Sequence, residues 1–189
     1  MSFFYLASAS PRRQNILNSL GLDFKVIPNL LHDENLDISK GSIRNQLKYL
    51  CLEKAKASSK AIKGWILTAD TIIYHHNKTI DKPSSKHDAF SILNKLSNSS
   101  HHVITACCLF NTMTKKHYFC SDSATVHFNA LSKQDIETYI NDFKPFDKAG
   151  SYGIQDIPTH FLKKLDGNTY TVMGLPKHKL KKFFKHIYT

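Results

Sequence analysis

Asp70 is the residue whose type and surroundings most directly suggest chemistry. It lies within an apolar stretch, Trp65 to Tyr74, whose pattern predicts a buried strand. A carboxylate in such a place is costly unless it pairs with a cation, binds a metal or accepts hydrogen bonds from backbone N–H groups. The last arrangement needs no function, so the sequence leaves a structural and a chemical interpretation open. We favour the chemical one.

A second candidate site is a turn near the N-terminus that is rich in small and basic residues. It contains, in order, Ser8, Ser10, Pro11, Arg12 and Arg13. Ser10 is a good helix N-cap and Pro11 suits the first helical position, so the pattern predicts a strand, a turn and a helix. The strand is expected at Phe3–Leu6, and Gly21 is expected to close the helix. Helix N-termini bind anions, and two guanidinium groups there favour a phosphate or carboxylate ligand over two solvated arginines.

Lys54 is the third candidate, because it falls on an apolar helical face. The helix predicted from Ser42 to Lys60 repeats apolar residues at helical spacing, and Lys54 shares that stripe. A lysine there either extends its amine to solvent or meets an anion, and periodicity does not decide between the two. Lys82, which precedes a proline, and Asp33, in a polar loop, complete a set of cations and carboxylates. Such a set suits phosphate chemistry with a divalent, oxygen-preferring metal.

The elements that would position these residues alternate between strand and helix at first and form hairpins later. The further predicted elements are helices at Lys86–Leu96 (capped by Ser85) and up to Phe143 (capped by Ser132), strands at Phe24–Pro28, His102–Asn111 and Lys116–Asn129, a hairpin of His160–Leu165 with Tyr170–Met173, and a last helix from Pro176. This order predicts an α/β fold with a mixed sheet. We expect the apolar face of the last helix to dock on the protein rather than on a membrane.

Composition excludes several classes of protein. The 189 residues are 41% hydrophobic and 22% charged, which is typical of a globular chain. No signal peptide, membrane span or zinc-binding cysteine pair is evident, so we expect a cytoplasmic protein with reduced thiols and no membrane partner. The net charge of +11 is attributed partly to an anionic ligand and partly to a lysine-rich composition, since no basic block stands out as a nucleic-acid arm.

Six short motifs follow one another along nearly the whole chain. They are Leu6–Arg13, Glu53–Ala55, Ala69–Thr71, Lys82–Pro83, Asp147–Gln155 and Val172–Pro176. Together they resemble the Maf family of nucleoside triphosphate pyrophosphatases, which is related in fold to the inosine triphosphate pyrophosphatases. The resemblance implies a mixed twisted sheet flanked by helices. It further implies a single domain over residues 1–189, with two lobes around a central cleft.

The resemblance also implies an activity and a site. The activity is hydrolysis of a nucleoside triphosphate to the monophosphate and pyrophosphate with Mg²⁺ or Mn²⁺, and a homodimer is suggested. Asp70 is implied as the proton acceptor. Arg13, Thr71 and Gln155 match the branch that acts on dTTP and UTP, with modified pyrimidine nucleotides also considered, and not the branch that acts on 7-methyl-GTP. The implied substrate-binding residues are Ser8, Ser10, Arg12, Arg13, Lys54, Thr71, Lys82 and Gln155, and the implied metal ligands are Asp70 and Asp33.

Some alternatives stay open at this level. The family carries a loop carboxylate where this chain has Asp33 followed by Glu34, so either residue could be the ligand. Asp70 could act as a base or chiefly as a metal ligand, because a free aspartate is a weak base at neutral pH. Gln155 offers a donor and an acceptor to a pyrimidine, but a glutamine can flip and so cannot exclude cytosine alone.

Two other functions compete with pyrophosphate release. The positive charge also suits a basic nucleic-acid-binding or regulatory protein of the same fold with little turnover, although we expect no nucleic-acid partner. A phosphatase that releases single phosphates is a further alternative, which the identity of the product decides.

Overall fold

The computed structural model describes residues 3–31, 41–60 and 62–188 of the chain. The strands are β1 (Phe4–Ala7), β2 (Phe24–Ile27), β3 (Trp65–His75), β4 (Lys78–Ile80), β5 (Ser100–Asn111), β6 (His117–Phe128) and β7 (Leu162–Asp166). The helices are α1 (Pro11–Asn18), α2 (Ile43–Ala57), α3 (Lys86–Leu96), α4 (Lys133–Phe143), a single turn α5 (Thr169–Val172) and α6 (Lys177–Tyr188). Strands and helices therefore occur in the mixed order that the sequence predicts.

The strands of the described residues form one mixed sheet. Their order is β2-β1-β3-β5-β6-β7, with β4 paired to β3. The strand β1 runs parallel to both β2 and β3, as expected where a helix or a long connection separates neighbours. The pairs β3–β4 and β6–β7 are antiparallel. The predicted α/β fold with a mixed sheet is confirmed.

The chain divides into two compact units. The first unit comprises Met1–Asp70, Thr105–Asp122 and Gly174–Thr189, and the second comprises Thr71–Ile104 and Ser123–Met173. In the first unit the ring of Phe4 packs on Phe24 and Phe184, with centroids 5.8 and 5.2 Å apart. This contact joins the first strand of the unit to its last helix.

Helix α6 docks on the first unit, as predicted. Its apolar face is buried and comprises Leu180, Phe183, Phe184 and Ile187. Beside that face, Lys179 Nζ lies 2.7 Å from Asp122 Oδ1, and His178 Nε2 lies 3.3 Å from Asp122 Oδ2. No helix in the described part of the chain is long and apolar enough to cross a membrane.

The second unit packs α3 and α4 around an aromatic core. Phe128 lies at its centre, with its ring centroid 5.0 Å from Tyr152 and 6.4 Å from Phe161. Both helices begin at the predicted caps, because Ser85 Oγ accepts from the Asp88 N–H at 3.0 Å and Ser132 forms a reciprocal capping box with Asp135. These caps fix where the two helices start.

The predicted hairpin of His160–Leu165 with Tyr170–Met173 is wrong. Strand β7 pairs instead with β6, and Gly167 approaches β6 so closely that a Cβ there would lie 2.8 Å from the Cβ of Ala124. The second half is helical, because the Asn168 side chain accepts from the Tyr170 N–H at 2.9 Å and so caps the turn α5. Capping by asparagine outweighs the strand preference of the tyrosine and threonines.

Helix α1 is shorter than predicted. It ends at Asn18 rather than at Gly21. The Gly21 N–H donates to the Asn18 carbonyl at 2.9 Å, and Gly21 has a φ of 66°. The glycine therefore closes the turn after the helix and not the helix itself.

Candidate functional site

The turn between β1 and α1 is organised by the hydroxyl of Ser8. The Ser8 side chain is almost fully buried, at 5% exposure. Its Oγ accepts from the backbone N–H of Ser10 at 3.3 Å. Ser10 is the N-cap residue of α1, as predicted, but its own side chain makes no capping hydrogen bond. Ser8, rather than the cap, therefore fixes the shape of the turn.

Arg13 ties this turn to the segment before α6. Its Nε donates to the Gly174 carbonyl at 2.9 Å, and its Nη1 donates to Ser8 Oγ at 3.1 Å. These are two of the five N–H groups of a guanidinium. Arg13 is half-buried, so it is not a solvated side chain, and its positive charge lies at the N-terminus of α1. Arg12, also half-buried, occupies the same first turn.

We expect Arg13→Ala to lower the free energy of unfolding by about 1–3 kcal/mol, because it removes the hydrogen bond to Ser8 and the long-range hydrogen bond to the Gly174 carbonyl. If dTTP is a substrate, as the resemblance implies, kcat/KM for dTTP should fall about tenfold or more, since the charge at the turn is lost. Urea unfolding and steady-state kinetics measure the two effects. Arg13→Lys keeps the charge but not the planar guanidinium that bonds both Ser8 and Gly174, so it should recover part of kcat/KM but little of the stability. A normal kcat/KM in Arg13→Ala would show that the guanidinium only supports the fold.

Lys54 and Asp70 form a buried ion pair in the first unit. Lys54 Nζ lies 3.2 Å from Asp70 Oδ2, and the two side chains are 7% and 18% exposed. Lys54 therefore meets an anion and does not extend its amine to solvent, which decides the question left open by its place on the apolar stripe. Because a buried ion pair offers little net stability for its desolvation cost, its presence here favours a functional explanation.

Hydrogen bonds of nearby residues connect the helix and the strand that carry this ion pair. Thr68 Oγ1 donates to the Cys51 carbonyl at 2.6 Å, which joins β3 to α2. The Cys51 thiol donates to the Ala106 carbonyl at 3.3 Å. Burial raises the pKa of the Cys51 thiol far above its usual value, and the charge of Asp70 raises it further. Cys51 is therefore a protonated structural group and not a nucleophile.

Asp70 can supply one of the carboxylate ligands of the divalent ion that the resemblance implies. The described residues contain no group of three or more His, Cys, Asp or Glu side chains that could hold a metal. Mg²⁺ is usually held by one or two carboxylates together with phosphate oxygens and water, so one buried carboxylate of this kind fits it. The other predicted ligand, Asp33, and its alternative Glu34 lie outside the described residues.

The other predicted site residues belong to the second unit. Thr71 follows Asp70 in β3 and is half-buried, whereas Lys82 and Gln155 are exposed. The backbone N–H of Gly150 donates to the Asp81 carbonyl at 3.2 Å, so the loop that carries Gln155 is bonded to the residue before Lys82. The predicted site residues thus fall into three groups. Ser8, Ser10 and Arg13 are hydrogen-bonded in one turn, and Lys54 is paired with Asp70. The segments that carry Lys82 and Gln155 are hydrogen-bonded to each other.

The loop that carries Gln155 is anchored by His101, which sequence reasoning missed. His101 is 1% exposed, and its Nε2 lies 2.7 Å from the Tyr152 hydroxyl. Among the described residues, His101 Nδ1 and the neighbouring loop atom Ser151 Oγ are buried without a hydrogen-bond partner. The signal available in the sequence was a histidine at the start of a strand that continues into an apolar run.

We expect His101 to make the protein less stable in acid. Burial, with smaller contributions from His75, His102 and His127, lowers the pKa of His101 to about 3. The unfolded chain therefore binds the proton first, and unfolding becomes easier as the pH falls through about 6.5 towards 3. This group should cost about 2 kcal/mol between pH 7 and pH 5. Urea unfolding at both pH values should show a smaller loss for His101→Gln than for the wild type, and equal losses would contradict the assignment.

Comparison with known proteins supports the interpretation of the motifs. A sequence model of the family described as Maf-like protein matches residues 3–187. The chain is 40% identical over 169 residues to the dTTP/UTP pyrophosphatase of Syntrophomonas wolfei subsp. wolfei, 38% over 169 residues to that of Clostridium perfringens strain SM101, and 38% over 174 residues to that of Aquifex aeolicus. Each match covers 88% of this chain, and the matches cover 88%, 88% and 86% of the relatives. The protein belongs to the Maf family.

Proposed function

We propose that this protein hydrolyses dTTP and UTP, or modified pyrimidine triphosphates, to the nucleoside monophosphate and pyrophosphate. The observation that carries the proposal is the buried pair of Lys54 and Asp70, 3.2 Å apart. This pair buries a carboxylate and a cation at positions where apolar residues would make the core at least as stable. The names of the relatives supply the substrate class, and the basic turn at Arg13 supplies an anchor for phosphates.

Each predicted site residue has a place in this proposal. The charges of Arg12, Arg13, Lys54 and Lys82, with the hydroxyls of Ser8, Ser10 and Thr71, bind the triphosphate. Gln155 contacts the base. Asp70 accepts the proton of the attacking water or holds the metal, with Asp33 or Glu34 as the second ligand. When bound, Mg²⁺ or Mn²⁺ would neutralise charge on the phosphate oxygens.

We further propose that the enzyme works in the cytoplasm. The described cysteines are all free thiols, which suits the reducing cytoplasm where nucleotides are made. A nucleotide is the proposed partner. A homodimer is also proposed, and light scattering after gel filtration would test it.

A panel of triphosphates tests the function. The purified protein is assayed with dTTP, UTP, dCTP, CTP, ATP, GTP and 5-methyl-UTP, with Mg²⁺, with Mn²⁺ and with excess chelator. We expect turnover to be highest with dTTP, UTP or a modified uridine nucleotide, and to be lost with chelator. Tight, steeply salt-dependent DNA binding without hydrolysis would favour the nucleic-acid-binding alternative instead.

A further inference from the structure

The amide of Gln155 poses a question of specificity. A glutamine side chain ends in an acceptor oxygen and a donor NH₂, and rotation by half a turn exchanges them. Uracil and thymine present a donor at N3, whereas cytosine presents an acceptor there. A freely rotating Gln155 would therefore match either kind of base, so selectivity needs a neighbour that fixes the amide.

Asp156 is such a neighbour. Gln155 Nε2 lies 3.2 Å from Asp156 Oδ2, in donating geometry. A carboxylate only accepts hydrogen bonds, so it can hold the NH₂ end of the amide and not the oxygen end. The reversed amide would bring Gln155 Oε1 against a negatively charged oxygen. The contact therefore leaves Oε1 as the atom that Gln155 offers to a ligand.

The backbone of Asp156 is held in a tight turn. The N–H groups of Asp156 and Ile157 both donate to the Gly153 carbonyl, at 2.9 and 3.1 Å, and so close the chain into a tight turn. The carboxylate folds back over Gly153, where a Cβ would collide with Asp156 Oδ2 and would lie 3.2 Å from Cε of Lys148. Glycine at position 153 leaves room for the carboxylate in this position. The turn therefore places the Asp156 carboxylate beside the Gln155 amide.

We propose that Asp156 is a positioning residue that makes the enzyme prefer uracil and thymine to cytosine. It does so by holding the Gln155 amide with Oε1 directed to accept a hydrogen bond from N3–H of the base. This inference rests on the proposed function, in which Gln155 contacts the base. Asp156 acts only through Gln155 and touches neither the phosphates nor the reacting atoms.

The test compares selectivity, measured as kcat/KM for UTP divided by kcat/KM for CTP. Asp156→Asn keeps the shape but offers both a donor and an acceptor, so Gln155 can take either orientation. We expect the ratio to fall about tenfold, the scale of one hydrogen bond to a charged group, while kcat for UTP changes little. Asp156→Glu restores an acceptor-only group and should recover much of the ratio. Asp142→Asn, at an exposed aspartate of α4, removes the same charge elsewhere and should leave the ratio unchanged.

A second pair of variants isolates the amide. Gln155→Glu replaces it with a group that accepts in either orientation, so adding Asp156→Asn to Gln155→Glu should no longer lower the ratio. The inference is overturned if Asp156→Asn alone leaves the ratio unchanged, or if it lowers the ratio equally in both backgrounds. It is also overturned if the wild type uses UTP and CTP alike, although pyrophosphatase activity then stands. Absence of hydrolysis of any triphosphate by the wild type would instead refute the proposed function, and this inference with it.

Discussion

Replacing Asp70 with asparagine is expected to lower the rate of pyrophosphate release from dTTP at least about a hundredfold, the lower end of the effect of removing a general base. The same loss is expected if Asp70 chiefly holds the metal, because an amide carries no charge for it. Asn has nearly the same shape, and Lys54 can still donate to its oxygen. The protein should therefore remain folded. Continuous pyrophosphate detection with saturating dTTP and Mg²⁺ measures the effect.

Asp122 supplies a matched control for Asp70. Its side chain is 17% exposed, close to the 18% of Asp70, and it also lies in an ion pair of the first unit, with Lys179 and His178. Asp122→Asn should weaken the docking of α6 and lower thermal stability while kcat stays near normal. Near-normal turnover in Asp70→Asn, or an equal loss of kcat in both variants, would refute the role assigned to Asp70.

Replacing Lys54 with methionine is expected to affect both stability and turnover. Breaking a fully buried ion pair costs about 3–5 kcal/mol, and we expect about 2 kcal/mol here because Asp70 keeps 18% exposure. Turnover of dTTP should fall about a hundredfold, since the charge that steadies the carboxylate and the phosphates is lost. Urea unfolding and pyrophosphate release give the two values.

A double variant and a surface control separate these two effects. Lys54→Met with Asp70→Asn should recover part of the lost stability, because no charge is left buried beside an apolar group, yet no activity. Lys56 lies on the same helix in an exposed pair with Glu53, at 2.7 Å and with both side chains more than half exposed. Lys56→Met should change stability by less than about 1 kcal/mol and leave turnover intact. A stable and fully active Lys54→Met protein would contradict the account.

The sequence predicted best those features that depend on local pattern. The stripe of α2 placed Lys54 on a buried face, and the apolar run of β3 singled out Asp70. Serines at the starts of α3 and α4 were correctly identified as caps, because capping needs only residues three positions apart. Each of these features depends on chain neighbours, so a periodicity or a spacing was sufficient to find it.

Features that depend on distant contacts could not be predicted in this way. The bond from Arg13 to Gly174 joins residues 161 positions apart, and no pattern at either residue indicates the other. The hairpin prediction failed at Tyr170 because strand preference was weighed without the cap that Asn168 provides. Asp156 directly follows Gln155, but the contact between their side chains depends on the folded turn, so no pattern in the sequence indicates the role we propose for it.

The identity of the products distinguishes release of pyrophosphate from release of a single phosphate. The wild-type protein is incubated with dTTP and Mg²⁺, and dTMP, pyrophosphate and orthophosphate are quantified together by ³¹P NMR. We predict equal amounts of dTMP and pyrophosphate, with no orthophosphate, and at least about a hundredfold slower formation of both products with Asp70→Asn. Formation of dTDP and orthophosphate by the wild type would contradict the account.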